Sequence, residues 1–120
     1  MLPAILFQAF KQGSLRDWRV SVEGERSIAA TKAACGFRLP GTFWIEAEWP
    51  SSDFTHSLQA SRLATDETAT IRFDGRAFTG RMTIQPTLSL RGLGVKVMVQ
   101  AEGMPGVRLD GRLGLKAPGG

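Results

Sequence analysis

A chain of 120 residues has the length of one domain and buries enough surface to fold without staples, and its 42% hydrophobic and 22% charged residues place it with globular rather than disordered sequences. One cysteine, Cys35, and one histidine, His56, exclude an intrachain disulfide and a structural zinc site of Cys/His type. The net charge of +4 is uneven: residues 1–70 carry seven Lys/Arg against eight Asp/Glu, and residues 71–120 carry eight against three, so the positive excess belongs to the C-terminal part.

The N-terminus opens with an apolar run, Leu2 to Phe7, that lacks a basic leader and is too short for the core of a signal peptide. It reads as a strand or docking arm within residues 1–10. No stretch approaches the roughly 20 apolar residues of a membrane-spanning helix, so no membrane contact is expected and the chain is expected to be made in a cytoplasm. Trp18 to Val22 reads as a strand. Ser27 is placed to cap a short helix through Ile28 to Cys35, which Gly36 would close, and this is the one helix predicted. Thr42 to Trp49 follows as a strand with Phe43, Ile45, Ala47 and Trp49 on alternate positions; Trp44 falls on the opposite side, so both faces are expected to be covered. Pro50 to Asp53 forms a turn, and Ser57 to Leu63 fits a strand with a less regular pattern.

From Thr68 onward the period of two is strongest. Ile71 and Phe73 alternate with Arg72; Phe78, Met82 and Ile84 with Thr79, Arg81 and Thr83; Val95, Val97 and Val99 with Lys96 and Met98. Half-buried antiparallel strands have this pattern. Asp74-Gly75 accepts the positive φ angles of a tight hairpin turn, and a second Asp-Gly, Asp110-Gly111, predicts another hairpin joining Val107–Leu109 to Leu113–Leu115. The shared string Arg-apolar-Asp-Gly-Arg, at Arg72 to Arg76 and Arg108 to Arg112, is read as common turn chemistry and not as a repeat. The predicted fold is mainly β: a single antiparallel β-sandwich or barrel with one short helix, spanning 1–120.

Catalytic chemistry finds little to hold it. A triad needs a nucleophile, a base and an acid that converge, and Asp53 and Ser57 beside His56 are ordinary turn residues. Cys35 reads as a small buried hydrophobe. Glu46 and Glu48 share one side of a strand, as a solvated acidic face does. Gly92 and Gly94 precede a strand and not a helix, so no Walker loop or dinucleotide fingerprint is present and no cofactor is expected. The chain is therefore read as noncatalytic.

The basic residues carry more information. If Ile71, Phe73, Val95, Val97, Val107, Leu109, Leu113 and Leu115 face the core, then Arg72, Lys96, Arg108, Arg112 and Lys116 face away from it, joined by Arg81. That cationic face is suited to phosphate backbones, including nonspecific contact with DNA, or to an acidic protein surface. It lacks aromatic platforms for stacking bases, because Phe73 and Phe78 fall on the core parity.

Two resemblances follow. Thr87-Leu88-Ser89-Leu90-Arg91-Gly92 resembles the second motif of PilZ domains, small β-barrels that bind cyclic di-GMP; Ser89 and Gly92 match its spacing and Thr87 stands where the family has an acidic residue or Asn. The family's upstream arginine pair would have to be Arg72 and Arg76, across a predicted turn and close before the motif. The succession Thr68 to Phe73, hairpin, Phe78 to Ile84, Thr87 to Leu90, Gly-rich link and Val95 to Glu102 resembles the strand meander of tailed-phage virion proteins, especially tail-tube β-sandwich subunits. That second resemblance implies a structural subunit of a phage particle, assembled in the host cytoplasm, with copies of itself and other virion proteins as partners. Its contacts would be sheet edges and the N-terminal arm, whose Leu2, Ile5, Leu6 and Phe7 a neighbour would bury.

Overall fold

The alternation of apolar with polar side chains extends through almost all of the chain that the computed structural model describes, residues 14–38, 41–51, 53–90 and 92–114. It produces nine strands: β1 (Ser14–Val22), β2 (Ile28–Ala29), β3 (Lys32–Arg38), β4 (Thr42–Pro50), β5 (Thr55–Leu63), β6 (Thr68–Phe73), β7 (Arg76–Ser89), β8 (Gly92–Ala101) and β9 (Val107–Gly114). All lie in one sheet, in the order β2-β1-β9-β8-β7-β6-β5-β4-β3, and every described pairing is antiparallel. The sheet curls into a half-barrel. Its concave face holds the core, with Phe43, Ile45, Leu58, Ile71, Met82, Val97 and Leu109 fully buried, and no polar or charged residue is buried among the described ones.

The curl is drawn together by one extended stretch that changes partner. β2 pairs with β1 through Arg19 opposite Ala29. The Ala30 N–H then donates to the Trp18 carbonyl at 3.0 Å, and the next N–H, that of Thr31, donates to the Glu48 carbonyl at 2.8 Å. From Lys32 onward the stretch pairs with β4 as β3. Two ends of the sheet thereby meet at Ala30-Thr31.

This stretch is where a helix was expected, and the described chain contains none there: Ile28 to Cys35 is β2 and β3. Alanine is the best helix former, but propensity is a weak local preference, and the pairing of Lys32 to Arg38 with seven partners on β4 outweighs it. Ala33, Cys35 and Phe37 pack against the core on alternate positions. Gly36, expected to end a helix, instead lies beneath the Trp44 ring, where a Cβ would come within 3.3 Å of it. Trp44 is thus half-buried on the convex face, with the Arg38 guanidinium 4.7 Å from its ring centroid. Both faces of β4 are covered at this point.

The two Asp-Gly pairs have different fates. Asp74 and Gly75, with φ of 49° and 82°, turn β6 into β7 as a two-residue hairpin. Asp110 and Gly111 do not turn: β9 runs straight through them, between β8 (Lys96 opposite Asp110, Val95 opposite Gly111) and β1. The expected second hairpin is therefore replaced by a β-bulge. Arg16 faces Arg112 and Arg19 faces Asp110, so Asp17 and Trp18 on β1 together oppose Gly111. Asp17 takes the positive φ, 54°, and the Trp18 ring lies on Gly111, where a Cβ would overlap it. Gly111 is used here for its missing side chain.

In an antiparallel meander the turns alternate between two ends. The links 23–27, 51–54, 74–75 and 102–106 lie at one end, and 64–67 and 90–91 at the other, together with the start of β1 and the end of β9, where Ser14 pairs with Gly114. β7, at roughly 3.3 Å per residue, runs the 43 Å length of the molecule between them. β6 accompanies it only from Arg76 to Arg81, so residues 82–89 have β8 on one side and no β6 partner on the other. Pro86 sits in this part of β7, where a residue without an N–H is tolerated because, among the described residues, only β8 pairs with the strand here.

Candidate functional site

Three features of the described surface have the chemistry of a site: the basic convex face, a cavity at the end that carries the 51–54 turn, and the tip of the β7–β8 hairpin.

On the convex face the alternation places Arg72, Arg81, Lys96 and Arg108 outward and exposed, while Ile71, Val95, Val97, Val107 and Leu109 are buried. The register spreads these cations out. Arg81 lies opposite Gln100, and Arg108 opposite Met98; Lys96 lies opposite Asp110, which on its other side faces Arg19. Arg72 sits apart, between Gln59 and Ala77. Arg112 is half-buried, with Nη1 3.8 Å from an Asp17 carboxylate oxygen. Lys116 and Leu115 lie outside the described residues, as do Leu2, Ile5, Leu6 and Phe7 of the N-terminal arm. Two carboxylates therefore interrupt the cationic row. Glu46 and Glu48 face outward from β4, where Glu48 is 4.0 Å from Lys32, an exposed pair that contributes little to stability.

The residues of the cyclic di-GMP reading do not meet. Arg76 begins β7 and Ser89 ends it, roughly 40 Å apart at strand rise. Arg72 stays at the Arg76 end, four positions along β6 from Thr68, which faces Arg81.

The end cavity, about 550 Å³, is floored by Val20, Val22, Ile28 and Trp49 and rimmed by Glu25, Arg26, Ser51 and His56. β1 and β4 bring these together because the sheet curls: Val20, Val22 and Trp49 are inward positions at the ends of their strands. Beside it lies an aromatic cluster. The His56 ring stacks on Phe73 with centroids 5.4 Å apart, meets the edge of Phe54 at 4.3 Å, and lies 5.5 Å from Trp49, its cross-strand partner. Such contacts contribute about 0.5–1.5 kcal/mol each beyond the area they bury.

His56 also has a carboxylate partner that local sequence did not reveal. Its Nδ1 lies 2.8 Å from Asp74 Oδ2. A carboxylate only accepts, so the ring donates through Nδ1. The other oxygen of Asp74 accepts the Ser57 N–H at 2.9 Å, and the Asp74 N–H donates to the Ser57 carbonyl. Asp53, the acid nearest to His56 in sequence, is not the partner that the structure gives it. Asp74 thus ties the β6–β7 turn to the start of β5, and it does so from a left-handed conformation. Replacing it by alanine removes both acceptors and puts a Cβ-bearing residue without a local hydrogen bond at φ 49°. Asp74→Ala is expected to cost about 2–3 kcal/mol in urea unfolding, and Asp74→Asn, which keeps an acceptor and tolerates this φ, about 1 kcal/mol. Equal costs for the two would remove the role given to the carboxylate.

Cys35 and Arg62 complete the inventory. Burial pushes the Cys35 thiol far above its ordinary range, the opposite of what a nucleophile needs. Arg62 turns into the concave face, where Nη1 donates to the Met82 carbonyl; desolvation lowers its pKa, while Glu67 and Asp66 act in the other direction. Among the described residues no three of His, Cys, Asp and Glu cluster as metal ligands do.

At the opposite end Leu88 is 85% exposed and Leu90 fully so. Leu88 continues the inward row Met82-Ile84-Pro86 past the end of the core, where nothing in the described chain lies against it. The sequence pattern read Thr87 to Leu90 as a strand but gave no sign that it projects, because projection depends on where β6 stops.

Comparison with protein-family models, with curated proteins and with solved structures finds no match to this chain.

Proposed function

We propose that this chain is a noncatalytic structural subunit that works by joining copies of itself. The observation that carries this reading is the β7–β8 hairpin, which extends beyond β6 and presents Leu88 and Leu90 to solvent. Exposed large apolar side chains on a projecting element favour association when a neighbour covers them. A curled sheet in which residues 83–89 of β7 pair, among the described residues, with β8 alone offers further contacts of the kind that strand addition uses.

The resemblance of the strand succession to tailed-phage virion proteins gives the proposal its setting: a phage particle, most specifically its tail, assembled in the host cytoplasm beside other virion proteins. Arg81, Lys96 and Arg108 then serve to meet an acidic protein surface or a phosphate backbone. Leu2, Ile5, Leu6 and Phe7, which lie outside the described residues, are the apolar side chains of the sequence that a neighbour would bury in this reading. Sedimentation of the full chain across a concentration series is expected to give species heavier than the 13.0 kDa monomer. A chain that stays monomeric at the highest concentration overturns the proposal.

A further inference from the structure

We infer that the convex face holds a phosphate-binding recess between β7, β8 and β9, and that its ligand is the backbone of duplex nucleic acid. This inference deepens the reading of the basic residues given above and rests on its phosphate alternative; it does not require that copies associate. The recess, about 190 Å³, is lined by Thr83 and Gln85 of β7, Lys96 and Met98 of β8, and Arg108 of β9. The register brings these together: Thr83 lies opposite Met98, which lies opposite Arg108, and Gln85 lies opposite Lys96. Lys96 and Arg108 are therefore diagonal neighbours on adjacent strands, about 7–8 Å apart at their Cα atoms, with half-buried Met98 beside both.

Charge decides what can enter. No carboxylate lines the recess, and neither Lys96 nor Arg108 forms a salt bridge among the described residues. Asp110 faces Lys96 across the strand pair, but it does not line the recess and one of its oxygens is buried. The ligand is therefore an anion. A carboxylate is planar, and one guanidinium satisfies its two oxygens. A phosphate directs its oxygens several ways and can take a guanidinium, an ammonium and the neutral donors of Thr83 and Gln85 from three strands at once. A free phosphate would use the recess alone. Arg81, exposed two positions from Thr83 on the same outward row, and Arg19, exposed beyond Asp110, add charges that only a ligand carrying successive phosphates can meet. The described outward positions of β7, β8 and β9 hold no aromatic ring on which an unpaired base could stack, which favours a duplex, whose bases stay paired. Contacts of this kind position a backbone and read no sequence.

The test titrates labelled duplexes of two unrelated sequences with the full chain at low salt and follows fluorescence anisotropy. Both are expected to bind alike. Lys96→Gln/Arg108→Gln, at exposed positions that leave the core intact, is expected to bind at least about tenfold more weakly at about 0.1 M salt, with the slope of log K against log salt reduced by about 1.8. Arg26→Gln/Lys32→Gln removes the same charge from exposed positions elsewhere and is expected to keep the slope and lose less than about threefold in affinity. Thr83→Val is expected to weaken binding about three- to tenfold with the slope unchanged, as the loss of a hydrogen bond and not of a charge does.

Equal losses in the two double variants mean that net charge and not the recess binds, and the inference falls. It falls as well if the parent chain binds no duplex, or binds single strands more than about tenfold tighter. Saturable calorimetric binding of inorganic phosphate without duplex binding, or tighter binding of polyglutamate than of the duplex, overturns the assignment to nucleic acid. Sedimentation keeps the two readings apart: a monomer that binds the duplex removes self-association alone, and an oligomer that does not bind it removes this inference alone.

Discussion

Gly80→Ala is expected to be among the most damaging single-methyl additions in this protein, lowering stability by about 3 kcal/mol or more. Gly80 lies on β7 opposite Ala101 of β8. A Cβ built there overlaps the Gln100 carbonyl oxygen and comes within 2.8 Å of the Ala101 Cα. Both obstacles are backbone. Relief therefore requires β7 and β8 to separate, in the pair of strands that also carries Met82, Val97 and Val99 into the core. Gly106→Ala provides the contrast, because its nearest neighbour is the Glu23 carboxylate oxygen at 3.2 Å, the far end of a flexible side chain. It is expected to cost less than about 1 kcal/mol. Urea unfolding of the two variants beside the parent chain decides the matter. Similar small effects would mean that the close approach of β8 to Gly80 is not maintained in solution.

The value of a residue's local pattern depended on whether its partner strand was also local. Strands β6 to β8 follow one another through short links, and their period of two located their inward and outward positions from sequence: Ile71, Val95 and Val97 inward, Arg72, Arg81 and Lys96 outward. The stretch Ile28 to Cys35 failed for the opposite reason. Ser27, the alanines and Gly36 are consistent with a capped helix when read alone, but β4 supplies partners from Ile45 to Glu48 and β1 supplies Arg19, Val20 and the Trp18 carbonyl, and none of these is visible in the window that sets helix propensity. The same holds for the repeated Asp-Gly. Both pairs accept a turn, yet at Asp110-Gly111 the chain keeps two strands as neighbours and has no reason to reverse.

The candidate site was legible only as far as parity reaches. Alternation assigned Arg108 and Lys96 to one face, but it could not place Asp110 between Lys96 and Arg19, which takes the register of three strands. The His56–Asp74 pair spans 18 residues and follows from Leu58 facing Phe73. An Asp-Gly turn closing a strand, with a histidine near the start of the preceding one, is the only sequence signal for it, and that signal needs the register to be known. The end cavity depends on curl, and the projecting hairpin on the early end of β6. Neither property belongs to any single segment.

The Trp18–Gly111 contact is expected to behave as one unit, so that removing either member changes the cost of removing the other. Trp18 is 5% exposed, and its indole Nε1 is buried with no hydrogen-bond partner among the described residues, so shape rather than a polar anchor holds the ring. Trp18→Ala should cost about 3–5 kcal/mol through lost burial and the cavity left behind. Gly111→Ala should cost about 1–3 kcal/mol, because its Cβ overlaps the Cδ2, Cε2 and Cε3 atoms of the ring and the ring can move only by leaving the bulge formed by Asp17 and Trp18. With the ring gone, the same methyl enters the vacated space. The double variant is then expected to be more stable than the sum of the single effects by at least about 1 kcal/mol. A double-mutant cycle in urea measures that term directly. Additive effects would place the ring away from Gly111 in solution, and with it would go the physical reason why β9 passes straight through an Asp-Gly pair instead of turning there.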